Sequence, residues 1–269
     1  MIYTKIQAPD YLKPYVRFFL IIESQEQISQ PVRFNVFTDG YPGLIFQQEG
    51  IFSDNRMKPL PRLLLHGPIT KYSEKTVKEK YNNLLVCLKP NALKTVFGID
   101  AALLTDTYCD LNNMLKSSLT LSLFEARSVN EKITIVSHFL WMLATQNKHC
   151  QNRTVEYVME ALMNKNGIYS NGIYSIKECC SYVGISERSL ERLMMENIGV
   201  SPKLFMRIQR FQSALSLINT NPFRSFTDIC YQLNYADQSH QIREFKEFAG
   251  MTPKQFKLRD PQLILNFAD

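Results

Sequence analysis

The spacing of apolar positions changes once along this chain. Up to about residue 90 the apolar residues come in short runs: Val16–Glu23, Phe34–Thr38, Leu44–Gln48, Arg62–His66 and Leu84–Lys89. Such β-branched and aromatic runs predict strands. Asp39-Gly40-Tyr41-Pro42-Gly43 and Glu49-Gly50 supply turns between them. After Pro90 the spacing becomes helical, over Ala92–Phe97, Leu119–Arg127 and Glu131–Ala144. A polar stretch, Gln146–Arg153, reads as a linker, and from Thr154 onward the pattern is helix and short turn. The expected class is α+β, with a β-rich domain with helices over 1–150 (a small cupin-like barrel fits), an all-α domain over 151–259 and a tail over 260–269.

The helical region writes a single pattern twice. SERSLERLMMENIGVSPKLF from Ser186 and DQSHQIREFKEFAGMTPKQF from Asp237 align at an offset of 51 residues. The offset pairs Arg192 with Arg243, Gly199 with Gly250, Pro202 with Pro253 and Phe205 with Phe256. Each copy follows a short helix and a turn. Ile176–Val183 leads to Gly184, and Thr227–Leu233 leads to Asn234, a residue that tolerates the left-handed conformation. Ser186 and Asp237 then stand where an N-cap belongs. Leu190, Leu193 and Met194 are expected to face inward in the first copy, and Ile242, Phe245 and Phe248 in the second. Helix, tight turn and capped helix form the helix-turn-helix device, whose second helix suits a DNA major groove. A helix from Pro202 to about Asn219 separates the copies and gives a spacer of roughly 27 Å. That is of the order of one DNA turn, ~34 Å.

Composition narrows the chemistry. The 269 residues carry a net charge of +6, and the excess is no larger in the repeat region than before it, so a basic surface must come from placement. The six cysteines form no C-x-x-C pair and the four histidines no H-x-x-x-H, which argues against structural zinc. Free thiols in apolar helical patterns point to a reducing, cytoplasmic setting. No apolar stretch is long enough to span a bilayer, so no membrane partner is expected. No nucleophile–base pair, acid pair or phosphate loop suggests an enzyme, and no cofactor is implied. A fused alkyl-acceptor enzyme would need a reactive or zinc-bound cysteine cluster, which the spacing does not offer. Asn166–Ser170 and Asn171–Ser175 both read NGIYS, a duplicated segment expected to be loop.

Four stretches carry a resemblance: Ile185-Ser186-x-Arg188-x-Leu190-x-Arg192, Gly199-x-Ser201-Pro202, Tyr235-x-Asp237-Gln238-Ser239-His240 and Phe245-Lys246-x-x-x-Gly250-x-Thr252-Pro253. Over about Thr154–Lys257 the chain resembles the DNA-binding domain of the AraC/XylS family of bacterial transcription regulators. The resemblance implies double-stranded DNA as partner, with activation, and contact with RNA polymerase, as the expected outcome. It places base reading on Arg188, Glu191 and Arg192 in the first unit and on Gln238, Ser239, His240 and Arg243 in the second. Ser186, Asp237 and Lys246 are the backbone-contact candidates. Two departures stand out. Gln241 occupies a position the family usually fills with an apolar residue, and Glu187 and Glu191 put negative charge on the first reading helix.

The first 150 residues resemble an uncharacterised N-terminal domain of some such regulators, through Pro14-Tyr15-Val16-Arg17, Asp39-Gly40-Tyr41-Pro42, His66-Gly67-Pro68 and Lys89-Pro90-x-Ala92. In the wider family this domain senses a small-molecule effector, forms a homodimer, or both; His66 is the pocket candidate. A second reading stays open: a regulator acting chiefly through protein–protein contact, with a weakened first DNA-binding unit.

Overall fold

The computed structural model describes residues 2–115, 118–163, 175–219 and 225–258, and the backbone of 264–265. The NGIYS repeat, apart from Ser175, and most of the 260–269 tail lie outside the described residues. Nine strands are described: β1 Ile2–Gln7, β2 Val16–Glu23, β3 Val32–Val36, β4 Gly43–Glu49, β5 Leu63–His66, β6 Ser73–Val77, β7 Asn82–Leu88, β8 Tyr108–Asp110 and β9 Ile264–Leu265. They form a six-stranded sheet in the order β1-β2-β7-β4-β5-β8 and a three-stranded sheet in the order β6-β3-β9. Every pairing in the larger sheet is antiparallel. Its edges, β1 and β8, are not paired with each other, so the expected small barrel is instead an open sheet covered by a second one.

The central strands are apolar on both faces because both faces are covered. Leu84, Val86 and Leu88 of β7 pack with the helices, while Leu85 and Cys87 pack toward the small sheet with Phe34, Val36 and Phe52. The same alternation puts Leu63 and Leu65 of β5 on one side and Leu64 on the other. The covering helices are α1 Ala92–Phe97, α2 Leu111–Leu115, α3 Leu119–Glu125 and α4 Val129–Gln146.

The second half is helical: α5 Arg153–Met163, α6 Ile176–Val183, α7 Glu187–Asn197, α8 Pro202–Asn219, α9 Phe226–Gln232, α10 Gln238–Ala249 and α11 Pro253–Lys257. It packs against the β half over a shared core. Phe37, just past β3, is buried with Phe211, Phe248 and Phe256. The next residue is held from both directions. Thr38 N–H donates to the Phe248 carbonyl at 3.1 Å, and the Gln212 amide donates to the Thr38 carbonyl at 2.5 Å.

Candidate nucleic-acid interface

Each helix-turn-helix unit is built from caps that the sequence encodes. In the first, the Ser175 hydroxyl accepts from the Glu178 N–H while the Glu178 carboxylate takes the Ser175 N–H, a capping box that starts α6. Gly184 closes α6 at φ 73°, and the Ser186 hydroxyl accepts from the Ser189 N–H at 3.2 Å to start α7. In the second, Ser225 and Asp228 form the matching box at α9, Asn234 takes φ 53°, and the Asp237 carboxylate accepts from the His240 N–H at 2.6 Å. The Ser-x-x-acid spacing of both boxes was readable in the sequence, yet only the later caps stood out from the repeat.

Arg188, Glu191 and Arg192 are exposed on α7, with Glu187 beside them. Gln238, Ser239, Arg243 and Lys246 are exposed on α10. The Gln238 amide also reaches back to the Thr227 hydroxyl of α9 at 2.5 Å. His240 departs from the expected outward face. It is half-buried, stands edge-on to Tyr235 at 5.5 Å between centroids, and points Nε2 at the Glu244 carboxylate at 3.4 Å.

The inward face of α10 also differs from expectation. Ile242 is exposed rather than buried, because the buried stripe runs through Gln241, Glu244, Phe245 and Phe248. Gln241 accepts from the Cys230 thiol at 3.1 Å, and its amide nitrogen is buried without a partner. Leu190, at the equivalent place in the first unit, is fully buried among apolar side chains. Burial pushes the Cys179 thiol up to about 11 and raises Cys180 and Cys230 as well, so these sulfurs pack as neutral thiols. Among the described residues no group of His, Cys, Asp and Glu is arranged to hold a metal, and no helix is long and apolar enough to cross a membrane.

A cavity of about 600 Å³ lies between the two sheets. Val36, Ile45, Phe52, Leu64 and Leu85 give it an apolar body, and Arg56, Lys71 and Lys75 bring positive charge to it. Burial lowers the Lys75 pKa, only partly countered by the charge of Asp54. His66 lines the cavity and is half-buried; its loss of solvent there pushes its pKa down to about 4. Its Nδ1 lies 2.9 Å from the Gly67 carbonyl, which only accepts, so Nδ1 carries the proton of a neutral ring.

Two cavity-lining segments also touch the helical half. Tyr72 packs against the turn after α10: a Cβ on Gly250 would lie 2.6 Å from its ring. Asp106 and Thr107 follow Thr105, whose hydroxyl donates to the Gly199 carbonyl at 2.7 Å. The Asp106 carboxylate ties the two segments together by accepting from the Thr70 N–H at 2.7 Å and the Thr70 hydroxyl at 2.6 Å.

Comparison with known proteins agrees with this geometry. Residues 179–259 match the profile of a helix-turn-helix domain, and residues 4–110 match a domain of unknown function (DUF6597). An uncharacterized HTH-type transcriptional regulator of Staphylococcus aureus (strain MSSA476) is 33% identical over 93 residues, 34% of this chain. The F1 operon positive regulatory protein of Yersinia pestis is 27% identical over 107 residues, 40% of this chain and 33% of that protein. The chain spans only 12% of the length of the staphylococcal relative. Among solved structures, unsaturated fatty acid bound ToxT from Vibrio cholerae aligns over 92% of this chain and 98% of its own, at 13% identity and a TM-score of 0.49. The C-terminal region of this chain is a helix-turn-helix domain of the AraC type.

Proposed function

We propose that the protein is a sequence-specific DNA-binding transcription regulator, with a regulatory domain over 1–150 and the DNA-binding domain over 151–259. One observation carries the reading. Two separately capped helices, α7 and α10, present different exposed faces and are joined by the 18-residue helix α8. A reader with two unlike heads suits one asymmetric site in two successive major grooves. Arg188, Glu191 and Arg192 would read the first groove, and Gln238, Ser239, His240 and Arg243 the second. Ser186, Asp237 and Lys246 would meet phosphates. Arginine pairs with guanine O6 and N7, glutamine with adenine, and glutamate accepts from cytosine N4. Activation through RNA polymerase is the expected outcome at the promoter.

The cavity supports effector control. An apolar body edged by Arg56, Lys71 and Lys75 suits a small organic acid with an apolar tail. Tyr72 and the Asp106 segment would carry its presence to Gly250 and Gly199. A homodimer would present two such readers.

Glu187 and Glu191, exposed on α7, favour a second reading in which the first head is weak and protein contact dominates. Footprinting separates the two, since protection of two adjacent grooves excludes the second reading. In a salt-controlled binding assay, Arg192→Ala and Arg243→Ala should each cost roughly 1–3 kcal/mol at particular base pairs. Equal loss on every sequence would mark them as phosphate contacts instead.

A further inference from the structure

The first reading helix is seated by apolar side chains. The second carries a buried acid at the matching place. The repeat offset of 51 residues sets Glu244 against Leu193. The Glu244 side chain is 1% exposed. Arg207 Nε donates to its Oε1 at 2.9 Å, and Arg210 Nη2 donates to the same oxygen at 2.6 Å. Arg210 Nε reaches Oε2 at 3.3 Å, and His240 Nε2 lies 3.4 Å from Oε1. Both arginines come from the spacer α8 and are themselves fixed. Arg207 lies over the Phe248 ring at 5.0 Å and also binds Glu247 at 2.6 Å; Arg210 lies over Tyr235 at 4.5 Å.

Stability alone is a weak reason for such an arrangement. Burying a charged cluster costs desolvation, and apolar residues of similar volume often do as well or better. The first unit has the partly buried Leu193 at that place, packed against its apolar cluster. What forked arginines add is direction: their bonds to a carboxylate hold only at a narrow range of angles, whereas apolar contacts tolerate rotation. Arg243 precedes Glu244 and His240 stands one turn before it, so any rotation of α10 moves both reading groups.

We infer that Glu244 is the positioning residue of the second reading helix, and that its clamp by Arg207 and Arg210 sets which bases Arg243 and His240 meet. The inference rests on the DNA-reading function proposed above.

The test selects sites from random double-stranded DNA with the full chain, then substitutes every base pair of each half-site in turn. Glu244→Gln keeps the shape and removes the charge. Its discrimination at the half-site read by α10 should fall about tenfold, while the other half-site changes less than about twofold. A second variant, Arg207→Met with Arg210→Met and Glu244→Leu, copies the apolar seat of the first unit. It should melt near the wild type yet show the same one-sided loss. Arg207→Lys, which keeps the charge without the fork, should show a smaller loss on the same side. Unchanged discrimination in these variants overturns the inference, as does equal loss at both half-sites. Failure of the wild-type chain to select any site overturns the DNA-reading function as well.

Discussion

The two helix-turn-helix units share a scaffold and differ in how they are seated. The first buries Leu190, Met194 and Ile198 in an apolar cluster with α5 and α6. The second places Gln241 and Glu244 among its buried residues and shares its core with Phe37 from the β half. One unit is therefore packed mainly by shape. The other adds a buried amide and a buried carboxylate to an apolar core that Phe37 of the β half completes. A repeat can thus keep its caps and turns while its two copies are seated differently: the first meets the N-terminal half at the turn after its reading helix, through Gly199 and Thr105, and the second takes Phe37 into its core.

The largest test of this contrast is a pH experiment on the seat of the second unit. Asp39 is fully buried next to Thr38, its Oδ2 has no partner, and burial raises its pKa to about 7 against the weaker pull of the Tyr41 N–H and the Arg17 charge. An acid with a raised folded pKa loses stability as pH climbs, because the unfolded chain gives up its proton first. The loss begins near the ordinary value of 3.8 and is complete above about 7. Asp39→Asn should remove it, raising stability at pH 8 by up to roughly 4 kcal/mol and changing little at pH 4. His66 slopes the other way: with its pKa lowered to about 4, its contribution is lost as pH falls from 6.5 toward 4. The variant should therefore expose an acid-side decline that Asp39 masks in the wild type. Thermal melts across pH read both slopes, and a melting profile unchanged by Asp39→Asn would show that burial does not hold this carboxyl neutral.

Next in size are the two matched glycines. A Cβ on Gly199 would meet the Thr105 hydroxyl at 2.7 Å and the Ala101 carbonyl at 2.8 Å, with φ at +84°. On Gly250 it would meet the Tyr72 ring at 2.6 Å, with φ at +69°. Gly184 shares the backbone strain, at φ +73°, but has nothing within 4 Å. Gly184→Ala should thus cost about 1–2 kcal/mol from the backbone alone. Gly199→Ala should cost more, about 2–4 kcal/mol, because a backbone carbonyl cannot swing aside as a side chain can. Gly250→Ala should fall between them if Tyr72 yields. Chemical denaturation gives the order, and equal costs at all three would mean the contacts with the β half add nothing.

The smallest effect sharpens the comparison from inside the second unit. Gln241→Leu copies Leu190 and removes a buried amide nitrogen that has no partner. It should stabilise by about 1 kcal/mol. A loss instead would show that the Cys230 bond outweighs the orphaned nitrogen.

The helical half was the more legible in sequence. Helical spacing, turn residues and N-caps all agree there, and Ile176–Val183, the helix after Ser186 and the spacer stand at the expected bounds. In the β half the central runs were visible because both faces are apolar. The strands that escaped are β1, whose alternation is diluted by Thr4 and Lys5 at a sheet edge, the polar and half-buried β6, β8 with three residues, and the two-residue β9, which lies in the stretch expected to be a tail. Glu244 was missed because an acid on an amphipathic helix reads as surface. The one available signal was its alignment with Leu193. The contact of Phe37 with the helical core had no local signal at all, since it depends on residues far along the chain.

The short parallel pairing of β9 with β3, through Asn35 opposite Ile264 and Val36 opposite Leu265, has a mechanical consequence. It turns the chain between them into a closed circuit, fastened at one end by the peptide backbone and at the other by a two-residue ladder. A circuit closed that way carries tension as shear across its ladder. The helical half is therefore not a pendant on a tether: a load on the β half reaches it from both ends at once.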